Sequence, residues 1–306
     1  MAWGFRSPRR EPAAQARSER GQAETTGGGK VGWGFEEGAE IATGRTALEP
    51  LGGGRRYDVY LVWDERLHAL AVAKILRPAR LQDDSAVRKL QREAELLERL
   101  AHPSLVRAFD AVLDGPYPHL LLEHLDGPNL RRLVKQEGPL ASADVLVIGR
   151  QIAAALHYLS VEQVVHLDVK PSNVVLGEAA RLIDLGAARS LESASRLRAP
   201  FGTDAFMAPE LCGAASGAGR IASAADIWGL GATLYYASTG QVPFPRPAGA
   251  KGDEDPTVRF PQLVARPEPM PSYVPSALET LLLRMLAPDP SERPAAADVG
   301  DHLAAL

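Results

Sequence analysis

The chain has 306 residues, 45% hydrophobic, 24% charged and 6% aromatic, with a net charge of -4 and a sequence pI near 6.0. That length can bury a large core in one long domain or two shorter ones, and that charge gives no global basic field, so nucleic-acid binding is not expected. Its one cysteine, Cys212, can make neither an internal disulfide nor a thiolate metal cluster, and no apolar run approaches a membrane span, so the expectation is a cytoplasmic protein with no membrane anchor.

Residues 1–40 read as a tail. The first thirty carry six basic and three acidic side chains among Gly, Ala and Ser, with no apolar periodicity, and are expected to be disordered. Arg9-Arg10 is followed by Glu11, Pro12 and Gln15 where an export signal needs an apolar stretch, so a solvated basic tail is the reading. The triplet Trp-Gly-Phe occurs at Trp3–Phe5 and again at Trp33–Phe35. Chance, or packing of the second copy on the domain, is the simpler explanation than a repeated docking motif.

From residue 41 to 306 two textures follow one another. Residues 47–76 and 105–125 are rich in β-branched and apolar runs, as in Val59-Tyr60-Leu61-Val62 and Leu70 to Leu76, and predict strands. Between them Val87, Leu90, Ala94, Leu97 and Leu100 fall near a 3.6 period behind Asp83 or Asp84, which predicts a capped amphipathic helix. After Gly127 the pattern turns helical. Val145, Ile148, Ile152, Leu156 and Leu159 make one stripe, and residues 224–239 form an apolar helix stopped by Gly240. The prediction is an α+β fold of two lobes, a small β-rich one at about 45–123 and a larger helical one at about 128–306, with Glu123 to Gly127 as connector. A cleft between such lobes is the usual place for a ligand.

Chemistry concentrates at a few points along this frame. The stretch LGGGRRYDVY at 51–60 puts glycines between two strands, where backbone can approach a phosphate without Cβ obstruction, although such hairpins are often plain turns. In AVAK, Lys74 ends an apolar strand and is expected to point into the cleft, the plain alternative being a solvated strand-end lysine. HLDVKPSNVVL at 166–176 and RLIDLG at 181–186 then bring Asp168, Lys170, Asn173 and Asp184 into one short region. Phosphoryl transfer uses this mixture: oxygen ligands hold metal ions, a carboxylate orients a hydroxyl, and cations offset phosphate charge.

With these residues in order, residues 45–306 resemble the eukaryotic-type protein kinases, in particular their bacterial serine/threonine branch. The resemblance implies a bilobal kinase-like fold and transfer of the γ-phosphate of MgATP to serine or threonine hydroxyls of a protein substrate. Leu51, Gly52 and Gly54 match the glycine-rich loop, Lys74 the strand lysine, and Glu93 the helix glutamate that pairs with it. Asp168 matches the catalytic aspartate with Lys170 beside the transferring group, and Asn173 and Asp184 match the Mg²⁺ ligands. Pro209-Glu210 matches the Ala-Pro-Glu motif, Asp226 the aspartate that braces the catalytic loop, and Arg293 the arginine that pairs with Glu210. The same likeness makes Leu122 the gatekeeper, gives backbone groups of Glu123 and Leu125 to adenine, and sandwiches the base between Val59, Ala73 and Val175. Lysine two residues after the aspartate, with Thr203 before Ala-Pro-Glu, matches the Ser/Thr branch.

Three positions depart from the pattern. Tyr57 stands at the third glycine, which bears on nucleotide affinity, and Leu185 replaces a phenylalanine at a packing position. Leu167 replaces the arginine before Asp168, which removes the cation that meets a phosphorylated activation loop, so catalysis is expected to be independent of phosphorylation at Ser190, Ser193 or Ser195. Two alternatives remain. A pseudokinase scaffold or nucleotide-binding module usually loses residues equivalent to Lys74, Asp168 or Asp184, all present here, and small-molecule kinases generally lack segments like GTDAFMAPE and DIWGLG.

Overall fold

Alternation of buried and exposed side chains along the first half builds one antiparallel sheet, in the computed structural model that describes residues 32–197, 200–212, 223–247, 249–250 and 255–306. Its strands are β1 (Glu40–Ala42), β2 (Arg45–Gly53), β3 (Tyr57–Asp64), β4 (Ala69–Leu76), β5 (Ala108–Val112) and β6 (His119–Glu123), in the order β1-β2-β3-β4-β6-β5. β3 alternates strictly between half-buried and buried, the period-two signature of a strand lying on a core. Helix α1 (Asp84–Arg99) crosses between β4 and β5. Asp83 caps it by accepting from the N–H groups of Ser85 and Ala86, and Ala86, Leu90, Glu93 and Leu97 are its buried residues.

The helical lobe holds α2 (Leu130–Glu137), α3 (Ser142–Val161), α4 (Leu191–Ala194), α5 (Pro209–Cys212), α6 (Ala224–Thr239), α7 (Pro256–Arg259), α8 (Ser276–Met285) and α9 (Ala296–Ala305). Short strands β7 (Val164–Val165), β8 (Val174–Leu176), β9 (Ala180–Leu182) and β10 (Arg189–Ser190) sit at its cleft side, β8 pairing with β9 and β7 with β10. Helix α6 is buried almost all round, as an apolar helix without a polar face must be. It ends at Gly240, whose φ of 72° lets its N–H close onto Tyr236 O at 2.8 Å. A Cβ at Gly229 would stand 3.0 Å from both Cβ and O of Val169, so this glycine lets α6 press against the loop that carries Asp168.

Residues 32–39, counted with the tail on composition, lie against the sheet instead. Trp33 donates its indole N–H to Leu76 O at 2.8 Å and its main-chain N–H to Asp58 at 3.0 Å, and the rings of Trp33 and Phe35 pack on Tyr117. Two aromatic side chains among glycines were enough to dock the segment, so a boundary at residue 40 cuts through packed structure. The rest of the tail, with the first Trp-Gly-Phe triplet and the arginine pair, lies outside the described residues, as does Arg198.

Candidate active site

The β2–β3 hairpin, β4, α1 and the loops flanking β8 and β9 converge on the cleft. Gly52 has a φ of 142°, open to glycine alone, and Gly54 closes the hairpin by donating its N–H to Tyr57 O at 2.9 Å. Below it β4 presents Lys74, 7% exposed, whose ammonium donates to both Glu93 carboxylate oxygens at 2.8 and 2.7 Å and to Asp184 Oδ1 at 2.7 Å. Burial alone would favour neutral lysine, but the two carboxylates outweigh it and hold the Lys74 pKa above its ordinary value. The same ammonium, foremost, pulls Asp184 down to about 2, so its carboxylate is ionised at any physiological pH.

Asp184 follows β9 with a left-handed backbone, φ 68°, and turns back to accept from the Gly186 N–H at 3.4 Å. The loop that carries Asp168 is held from beneath. Asp226 on α6 is 3% exposed and accepts from the main-chain N–H groups of His166 and Leu167, each at 2.7 Å. Two charge-assisted bonds keep Leu167 in its left-handed conformation, φ 65°, and so set the direction of Asp168. Lys170 donates to Asp168 Oδ2 at 2.5 Å and to Thr203 Oγ1 at 2.7 Å, and Thr203 donates to Asp168 Oδ1 at 2.7 Å. Asn173 donates its amide N–H to Asp168 O at 3.0 Å, leaving its carbonyl oxygen for another partner.

A cavity of about 730 Å³ opens between the lobes, and Leu51, Gly52, Val59, Lys74, Leu122, Glu123, Leu125, Asn173, Val175 and Asp184 all line it. Two expected members do not. Ala73 is fully buried in the core on the other face of the sheet, and Val72 lines the cleft in its place. The reason is the period of a strand: Val72 and Lys74 share a face, and Ala73 points away, a signal available in AVAK itself. Gly54 lies outside the cavity lining while Gly53 belongs to it. Glu93 stands behind the cavity and reaches it through Lys74, Asp168 reaches it through Asn173, and Lys170 is bonded to Asp168 beside it.

Tyr57, at the third glycine position, folds its ring onto Lys74, whose ammonium sits 4.6 Å from the ring centroid. Burial pushes its phenol up to about 12. A side chain thus occupies the space beneath the hairpin that glycine would leave empty.

The protein kinase domain family matches residues 45–303. Over 238 residues the chain is 36% identical to serine/threonine-protein kinase PkaA of Streptomyces coelicolor, covering 75% of this chain and 42% of that protein. Over 260 residues it is 30% identical to serine/threonine-protein kinase PknB of Mycolicibacterium smegmatis, covering 80% of this chain and 40% of the relative. A putative sperm motility kinase W of Mus musculus is 27% identical over 265 residues, 86% of this chain and 50% of that protein. The chain therefore spans about two fifths of the length of the bacterial relatives it matches.

Proposed function

The chain belongs to the protein kinase domain family, and from that premise we propose that it transfers the γ-phosphate of MgATP to serine or threonine hydroxyls of protein substrates. The observation that carries the reading is the Asp168–Lys170–Thr203 triangle, with bonds of 2.5 to 2.7 Å, standing beside a cleft that holds Lys74 and Asp184. Asp168 orients the acceptor hydroxyl and takes its proton as the oxygen attacks, while Lys170 offsets charge on the phosphoryl group in transit. Lys74, kept protonated by Glu93, binds the α- and β-phosphates. Leu51, Gly52 and Gly53 roof them, Val59, Val72 and Val175 enclose the base, and Leu122 sets the depth of its pocket. Main-chain groups of Glu123 and Leu125 face adenine.

The donor set fits Mg²⁺. Asn173 has its amide oxygen available, Asp184 has Oδ2, and among the described residues no group of three His, Cys, Asp or Glu side chains could hold a metal by itself. A hard cation held by one or two protein oxygens and completed by substrate phosphates and water matches that arrangement. When bound, the ion neutralises charge on the phosphates. Among the described residues no helix is long and apolar enough to cross a membrane. A cytoplasmic setting for this segment is part of the proposal, and the free, buried Cys212 fits a reducing compartment.

Activity independent of loop phosphorylation is part of the proposal. Leu167 is buried and offers no side-chain donor, and the loop already meets Asp168 through Thr203. The rival reading, a pseudokinase, draws support from the Tyr57 ring against Lys74. Incubation with Mg²⁺ and γ-labelled ATP, followed by acid hydrolysis of the labelled acceptor protein, separates the two. Phosphoserine or phosphothreonine is the expected product; nucleotide binding without any labelled residue favours the pseudokinase.

A further inference from the structure

We propose that a second groove, beside the one described, selects acidic protein segments, so that the acceptor hydroxyl is recognised with a carboxylate side chain close to it; this rests on the phosphotransferase reading above. The groove is a cavity of about 550 Å³ whose lining includes Arg55, Thr203, Asp204, Phe244, Arg246 and Arg259. Thr203 belongs to this lining and also donates to Asp168 at 2.7 Å, so the groove begins one side chain from the catalytic carboxylate. A chain that offers its hydroxyl to Asp168 must run its flanking residues through this space or past its rim.

Cationic side chains outnumber acidic ones among the described lining residues. Three guanidinium groups line the groove: Arg55 from the β2–β3 hairpin and, far along the chain, Arg246 after α6 and Arg259 at the end of α7. Among the described lining residues the one acidic side chain is Asp204. It bonds to Arg246, and to Arg259 through Nε at 3.1 Å and Nη2 at 3.2 Å. Burial works against its charge, but these arginines outweigh that and hold its carboxyl below the usual range. Arg55 is exposed at the hairpin tip above the groove, and among the described residues no carboxylate is bonded to it.

The floor is fixed. Gln262 donates its amide N–H groups to Asp204 O at 2.8 Å and Met207 O at 3.0 Å, and Phe244 is buried at the base. The main chain around Asp204 is thus held in place, and the guanidinium groups beside it suit planar, bidentate recognition of a carboxylate. A lysine-rich segment would meet like charge.

The test uses three fluorescein-labelled peptides that share one acceptor serine and differ in flanking residues, all Glu, all Gln or all Lys. Binding is followed by anisotropy and transfer from MgATP by initial rates. The Glu peptide should bind roughly five- to tenfold more tightly than the Lys peptide at low salt, and the gap should close as salt rises. Arg55→Gln should reduce that gap to about twofold, and Arg55→Glu should reverse the order of the Gln and Lys peptides. Equal binding of all three peptides overturns the inference, whether or not transfer occurs. Preferential binding of the Glu peptide with no transfer to any peptide leaves the inference standing and overturns the phosphotransferase reading instead.

Discussion

Lys74 and Arg293 are both buried cations held by carboxylates, one in the cleft and one in the helical lobe. Arg293 donates to Glu210 at 2.7 and 2.9 Å and to the carbonyls of Ala224, Ala287 and Pro288, and it faces the Trp228 ring at 5.0 Å. Every N–H of that guanidinium has an acceptor, and neither partner's side chain is more than 5% exposed. Lys74 is just as hidden, yet one of its two carboxylates, Asp184, has a side chain 42% exposed and opens on the cavity. One assembly is closed and can only hold helices together; the other is left open on one side, where a phosphate or a metal can join it.

That contrast breaks first at Asp184. Asp184→Asn should lower transfer by about a thousandfold or more, roughly 4 kcal/mol, because a carboxylate serving phosphate and metal is lost at the reacting end of the site. Its melting midpoint should stay near that of the parent chain, and a large fall would mean that the cleft assembly is structural as well. Arg293→Ala should do the opposite. Removing one partner of a buried pair costs about 3–5 kcal/mol, so calorimetry should show a clear drop in melting temperature while the folded fraction keeps its turnover.

Lys74→Met sharpens the comparison through pH. Glu93, 1% exposed, then loses the cation that opposes the upward push of burial, so its folded-state pKa rises further above the unfolded value. For an acid shifted upward, the stabilising state is the protonated one, present at low pH and lost as pH rises through the folded pKa. The variant should therefore melt near the parent at acidic pH and progressively below it toward neutrality, a trend absent from Asp184→Asn. A smaller effect is expected at Tyr57. Tyr57→Gly frees the Lys74 ammonium from its ring and should lower the KM for ATP by a few fold with little change in kcat; an unchanged KM would mean that the ring moves aside at no cost.

Much of this was legible in the sequence because the signals are local. Asp83 before an apolar 3.6 period, Gly240 after one, and the spacing from Lys74 to Asp184 all translate into elements without tertiary information. Ala73 lies on the face of β4 opposite Lys74, which the period of the strand carries and the motif as a string of letters does not. Trp33 and Phe35 were counted as tail because their partners, Leu76 O, Asp58 and Tyr117, lie 25 to 84 residues away. The arginine groove had no sequence signal at all: Arg55, Arg246 and Arg259 meet only through the packing of both lobes.

The central claim is that Asp168, fixed by Lys170, Thr203 and the Asp226 brace, is the group that directs a hydroxyl onto the γ-phosphate. Single-turnover transfer from γ-labelled MgATP to a protein acceptor, with the parent chain beside Asp168→Asn, tests it directly. The account predicts label on serine or threonine with the parent, a loss of a thousandfold or more in the variant, and equal ATP binding by both. Comparable transfer rates in the two proteins would contradict it.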